Sequence, residues 1–143
     1  MSIMINKSAE SSGTRQTAEA FLRLLGAGDP DRLADVFAES IDWYVPGDAD
    51  LPWTGPRTHA SDVPEFFRTM GSAFVPGQSK YAVDRIIVQG EDAVVVATAS
   101  HTFARNGARF TTPMIIHLTV DEAKIVRLRL YEDTHLVARS AAA

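Results

Sequence analysis

Lys124-Ile125-Val126-Arg127-Leu128-Arg129-Leu130-Tyr131-Glu132-Asp133 alternates from its third residue: Val126, Leu128 and Leu130 fall on one side, Arg127, Arg129 and Tyr131 on the other. A period of two with one apolar face is the pattern of a half-buried β-strand. Residues 121–124 before it read as a tight turn, and two further strand-like runs precede that. It is therefore expected to be the closing strand of an antiparallel sheet. What the apolar face encloses decides what the protein does.

Working outward from this ribbon, residues 108–120, 93–104 and 81–89 give three more strands. Asn106-Gly107 joins the first two, a strong hairpin signal because both residues accept positive φ, and Gly90-Glu91-Asp92 joins the next pair. Pro76-Gly77 separates the strands from a helix that Ser61 can cap. Pro64 lies in its tolerated first turn, and Val63, Phe66, Phe67, Met70 and Phe74 form its apolar stripe. Residues 46–56 hold three prolines, two glycines and Trp53, the composition of a structured loop. Before them Ile41, Trp43 and Val45 alternate with Asp42 and Tyr44 in a short strand. Asp29-Pro30 opens a short helix with Leu33, Val36 and Phe37 on its stripe. Ala18, Phe21, Leu22 and Leu25 place an amphipathic helix on 14–27, ended by Gly28. Helices followed by strands imply an α+β fold.

A chain of 143 residues is the size of one domain, expected over 14–138, with a polar, Ser-rich leader at 1–13 and a flexible tail at 139–143. Its 45% hydrophobic and 22% charged content is that of a soluble globular protein, and no apolar run approaches the length of a spanning helix, so no membrane partner is expected. A cytoplasmic location is expected from the absence of cysteine and of a signal-peptide core in the leader. The net charge of -4, without any basic run, argues against nucleic acid. Asn6-Lys7-Ser8 matches a glycosylation triplet but lacks a secretory context.

Trp43-Tyr44-Val45-Pro46, Pro52-Trp53-Thr54-Gly55, the Phe66-Phe67 helix and the closing Lys124-Ile125 to Leu130-Tyr131-Glu132-Asp133 resemble, in that order, the SnoaL-like branch of the nuclear transport factor 2-like (ketosteroid isomerase-like) superfamily over residues 14–138. The resemblance implies a cone-shaped, curved antiparallel sheet packed on three N-terminal helices, a deep pocket at its open end and frequent homodimers. It implies the reaction only weakly. Relatives of this kind include polyketide cyclases, ketosteroid isomerases, limonene epoxide hydrolases and binding domains without catalysis, because sites are grafted onto folds.

Carried over residue by residue, the ketosteroid isomerase pattern puts Val45 where the carboxylate base would stand and Ile115 where the oxyanion-holding acid would stand. Neither can do that work. The limonene epoxide hydrolase pattern puts Ala97-Thr98-Ala99-Ser100-His101 in place of its Arg-x-Asp strand and Leu130 in place of its acid, so that triad is missing as well. A polyketide cyclase, isomerase or lyase activity that uses a single acid/base beside a preorganised ligand remains compatible with the chain. With Leu128 and Leu130 facing inward, Glu132 follows them. His117 is expected on the face of Ile115, and His101 on the face of Ala97 and Ala99. His117, His101 and Glu132 are thus the candidate catalytic groups, and Trp43, Val45, Trp53, Ile115, Leu128 and Leu130 the expected walls for a small hydrophobic ligand.

Each of these residues also has a plainer reading. A strand histidine is often a hydrogen-bonded structural group, Glu132 can be solvated at the strand end, and the two tryptophans can be core. Asp133 and Tyr131 fit packing, a cap for the segment that follows or a dimer contact. His59 and His135 suggest no ligand. The histidines show no metal-ligand spacing and no phosphate-binding glycine pattern is present, so no metal and no cofactor is expected. Arg127, Arg129 and Tyr131 on the outer face suit a homodimer formed through the sheet. An open chamber holding both histidines would favour small-molecule chemistry, and one filled by Trp and Phe rings a non-catalytic binding or interaction domain.

Overall fold

The computed structural model describes residues 2–4 and 13–143; most of the expected leader and the Asn6 triplet lie outside the described residues. The first helix, α1 (Thr14–Ala27), buries Ala18 and Phe21 and ends at Gly28, whose φ of 72° is a conformation that glycine adopts without strain. Pro30 starts the four-residue α2 (Pro30–Leu33), continued by a 3-10 turn (Ala34–Val36). Phe37, expected on the stripe of that helix, instead begins strand β1 (Phe37–Val45) and is buried there. Gly55–His59, placed by the sequence in or just beyond a loop, forms β2 against β1. Then comes α3 (Asp62–Ser72), with Val63, Pro64 and Phe66 buried. Asp62 Oδ2 accepts the backbone N–H groups of Thr58 and His59, and Ser61 makes no side-chain cap.

Four long strands follow: β3 (Lys80–Gln89), β4 (Asp92–Thr102), β5 (Arg109–Asp121) and β6 (Lys124–Glu132). The chain then turns into α4 (Thr134–Ala142), so most of the expected 139–143 tail is helical. Asp133 is the cap of this helix, its Oδ1 accepting from the N–H of Leu136 at 3.0 Å. No helix among the described residues is long and apolar enough to cross a membrane.

The sheet runs β2-β1-β6-β5-β4-β3. Its neighbours are antiparallel except β1 and β6, which run parallel, so the closing strand lies in the middle of a mixed sheet. Register shifts occur in β1 as well, against both its neighbours; two irregularities in the long strands bear on which side chains face inward. In β6 Val120 pairs with Ile125 and Thr119 with Arg127, leaving Val126 as the extra residue of a bulge. Ile125 therefore takes the buried position that strict alternation assigns to Val126, and Leu128, Leu130 and Glu132 keep their expected side. In β3 Asp84 is the corresponding extra residue between Val83 and Arg85. Bulges of this kind bend a sheet toward the closure that a cone needs. Helix α3 meets the sheet through an aromatic cluster in which Trp43 contacts Phe66 edge to face at 4.8 Å and Phe66 contacts Phe67 at 4.9 Å. Trp43, Phe66 and Leu128 are all but fully buried; each contributes about 1.5–3 kcal/mol by leaving water.

Candidate functional site

Beneath β6 the helices leave a narrow chamber of about 30 Å³, the space of roughly one water. Leu128, Leu130, Val45 and Ile116 supply strand walls; Trp43, Trp53 and Phe66 close it with rings. Toward α2 and α3 a vestibule of about 330 Å³ opens, and Leu25, Phe67, Met70, Tyr81 and His101 border both spaces. Met70, unbranched and half-buried, is suited to yielding to a ligand.

Three polar groups converge on this apolar surface: Glu132 from β6, Tyr81 from β3 and His101 from β4. The register explains the convergence, since Glu132 is paired with Met114, Ala97 with Met114 across the next ladder, and Ala99 with Tyr81, all on the inner face. Burial away from water raises the Glu132 carboxyl to about 7, so near neutrality it exists both as acid and as carboxylate. Tyr81 is pushed up to about 12, first by burial and then by the Glu132 charge, and stays a hydroxyl donor. Burial, helped by the Arg109 charge, lowers His101 to about 4 and keeps its ring neutral. That ring shares a 2.7 Å hydrogen bond between Nδ1 and Ser79 Oγ and stacks on Phe74 at 4.1 Å. A carboxyl poised near 7 beside a neutral imidazole and a phenol can give or take a proton and hydrogen-bond an oxygen.

Of the expected catalytic groups, Glu132 and His101 therefore share the chamber and His117 does not. The register of β5 puts Met114, Ile116 and Leu118 inward, so Ile115 and His117 face outward, opposite Tyr131 and Arg129. His117 Nε2 is bonded to Asp92 Oδ1 at 3.0 Å on that outer face. The expectation failed because the position of a missing acid was carried over onto Ile115. Within 114–120 the fully apolar set is Met114, Ile116, Leu118 and Val120, and a one-residue slip turns every side chain over. Of the expected walls, Trp43, Val45, Trp53, Leu128 and Leu130 line the chamber and Ile115 does not. Tyr81 was missed. It stands on an edge strand whose alternation the Asp84 bulge interrupts, so no sequence pattern singled it out. His59 is exposed beside Thr58 and Asp62, and His135 is exposed on α4.

Residues 18–128 match the family model described as the SnoaL-like domain. Among solved structures, a nuclear transport factor 2-like protein from Burkholderia pseudomallei is 22% identical and superposes with a TM-score of 0.83 over 92% of this chain and 99% of that one. TerC, co-crystallised with polyporic acid, is 19% identical with a TM-score of 0.80 over 92% of this chain and 100% of its own. IdmH from Streptomyces antibioticus, a candidate polyketide cyclase, is 19% identical with a TM-score of 0.70 over 91% and 99% of the two chains. At these identities the likeness is one of fold. No curated protein matches the chain in sequence.

Proposed function

The chain belongs to the SnoaL-like domain family, and from that premise we propose that it binds a small hydrophobic or polycyclic molecule and acts on it by cofactor-independent proton transfer, as a cyclase, isomerase or dehydratase. The ligand enters by the vestibule, with its leading end in the chamber. Glu132 is the acid/base, and His101 and Tyr81 hydrogen-bond the oxygen on which charge develops. The observation that carries this reading is Glu132 itself, a carboxyl held near 7 by an apolar chamber and shared with two neutral polar groups. The histidine thus serves as partner, and the carboxyl takes the role of proton carrier. TerC, co-crystallised with polyporic acid, supports an organic ligand for this fold.

A second reading has one observation in its favour. The chamber is narrow and ringed by Trp and Phe, which suits a non-catalytic binding or interaction domain. Mass spectrometry of organic extracts of the purified protein, followed by turnover assays of the compounds found, separates the two. Conversion that depends on Glu132 supports the enzyme; a retained compound that is never converted supports the binding domain.

The same reading includes a cytoplasmic homodimer formed through the outer face of the sheet. Ile87, Tyr44 and Tyr131 are about half exposed there, beside Arg127, Arg129, Asp42 and Asp92. A face that carries both signs and apolar side chains can complement its own copy about a two-fold axis. Sedimentation at micromolar concentration should give a dimer, and a monomer would remove this part of the proposal.

A further inference from the structure

Among the described residues, the polar partner of the His101 ring is Ser79, whose Oγ lies 2.7 Å from Nδ1. The segment that carries Ser79 is anchored on both sides of it. Val75-Pro76-Gly77-Gln78 closes a tight turn, the Gln78 N–H donating to the Val75 carbonyl at 3.2 Å, with proline at the second position and Gly77 at a φ of 79° at the third. The Val75 N–H donates to the Thr102 carbonyl at 2.9 Å. Arg109 Nη1 donates to the Gln78 carbonyl at 2.7 Å and to Thr102 Oγ1 at 3.0 Å. Lys80 then enters β3 opposite Ser100. Ser79 is thus pinned beside the strand that carries His101.

The other ring nitrogen is open. His101 Nε2 has no hydrogen-bond partner among the described residues, yet it is not sealed: among them the unpaired Trp43 indole N–H is the one side-chain polar group both unpartnered and closed off from water. His101 borders the chamber and the vestibule, so Nε2 is the ring atom left to meet a ligand. Phe74, stacked on the ring at 4.1 Å with the planes 12° apart, holds its orientation. A neutral imidazole has one N–H and one lone pair, and the bond made at Nδ1 decides which of them Nε2 presents.

We propose that Ser79 is a positioning residue: its hydroxyl donates to His101 Nδ1 and so fixes the tautomer in which Nε2 carries the proton and is the donor on the ligand side of the ring. This rests on the proton-transfer reading above and names the group that makes His101 a donor there. Two observations give the bond its direction. A length of 2.7 Å is at the short limit for an N–H donor, which usually stands about 2.9–3.0 Å away, and is ordinary for a hydroxyl donor. The Arg109 guanidinium sits on the carbonyl next to Ser79, and a cation there favours a lone pair at Nδ1 over an N–H dipole aimed toward it. Ser79 is exposed, so its oxygen still accepts from water after its proton is engaged. With Nε2–H and the Tyr81 hydroxyl both donating, the site offers two donors and one base; the opposite tautomer would leave a ligand oxygen with Tyr81 alone.

The test is a long-range 1H–15N spectrum of the full chain labelled with 15N-histidine, recorded without ligand at neutral pH, well above the value of about 4 at which the ring gains its second proton. His101→Gln assigns the ring among the four histidines. Nδ1 should resonate as an unprotonated nitrogen and Nε2 as a protonated one. Ser79→Ala should draw the two shifts toward each other as the tautomers mix, and Ser79→Thr, which keeps a hydroxyl, should restore their separation. A contact that serves packing alone would leave the pair of shifts where it was. A protonated Nδ1 in the unaltered protein, or Ser79→Ala with both shifts unchanged, overturns the proposal. The reading on which it rests fails separately, through a Glu132 carboxyl that titrates at its ordinary 4.5, and the tautomer is measured without reference to that result. Because the first spectrum is of the unaltered protein, the proposal can be overturned even where a variant fails to fold.

Discussion

The two faces of the same strands treat charge in opposite ways. Outside, Asp42 lies 2.9 Å from Arg129 and 3.6 Å from Arg127, and Asp92 accepts from Thr119 at 2.8 Å and from His117 at 3.0 Å. Burial pushes the Asp92 carboxyl up, but those two hydrogen bonds together with the His117 and Arg127 charges outweigh it and hold it below the ordinary value. Inside, one pleat away, Glu132 has no ion-pair partner among the described residues, so burial acts alone and drives it up to about 7. His101 has a hydroxyl for a partner and is driven down to about 4. The outer face keeps its charges and pairs them. The inner face keeps His101 and Tyr81 uncharged and holds Glu132 near 7, where a carboxyl can give or take a proton at little cost.

The sharpest way to break this contrast is to remove one carboxyl from each face. Glu132→Gln should lower turnover of any substrate found by extraction about 10²–10⁴-fold, as expected for a lost acid/base, without loss of Tm. Asp92→Asn should leave turnover within about twofold, and equal losses in both would erase the distinction. The next largest effect is on stability. Leu128→Ala should cost about 2–5 kcal/mol in urea unfolding, whereas Arg127→Ala, at a surface pair, should cost less than about 1 kcal/mol.

Stability against pH sharpens the comparison further. The folded pKa of Glu132, about 7, is raised above its ordinary 4.5. Its contribution is therefore fully present below pH 4.5 and lost as pH rises through 7. His101 is lowered to about 4 from 6.5, so its contribution is present above pH 6.5 and lost as pH falls through 4. Glu132→Gln should flatten the decline between pH 4.5 and 7, and His101→Gln the one between 6.5 and 4, each by about 1–2 kcal/mol after allowance for solvent screening. Chemical unfolding across that range reads both slopes. The smallest effect belongs outside: Asp42→Asn should cost about 0.5 kcal/mol at low salt and nothing measurable at high salt.

How much of this was legible in the sequence depended on whether local pattern or a remote correspondence set the strand phase. The inward set of Leu128, Leu130 and Glu132 follows from alternation alone, and so does His101 from its place beyond Ala97 and Ala99. The phase of β5 was equally readable in Met114, Ile116, Leu118 and Val120, and was misread only where a missing residue was used as a ruler. The bulge at Val126 and the parallel pairing of β1 with β6 were beyond reach, because both depend on what the neighbouring strand does. Tyr81 and the unpaired Trp43 N–H were likewise invisible, since a side chain's lack of a partner is a property of three-dimensional packing. The helix at Thr134–Ala142 had its cap in view at Asp133, but its Ala-rich end reads as easily as a tail.

The proposed chemistry stands on one proton. Carbon-13 NMR of the Glu132 side-chain carboxyl, followed from pH 3 to 9 in the ligand-free protein with Glu132→Gln for assignment, measures it without any substrate. A titration centred near 7 is the expected result. A midpoint near the ordinary 4.5 would mean that water reaches the carboxyl freely, and the inner face would then be no place for the proton transfer described here.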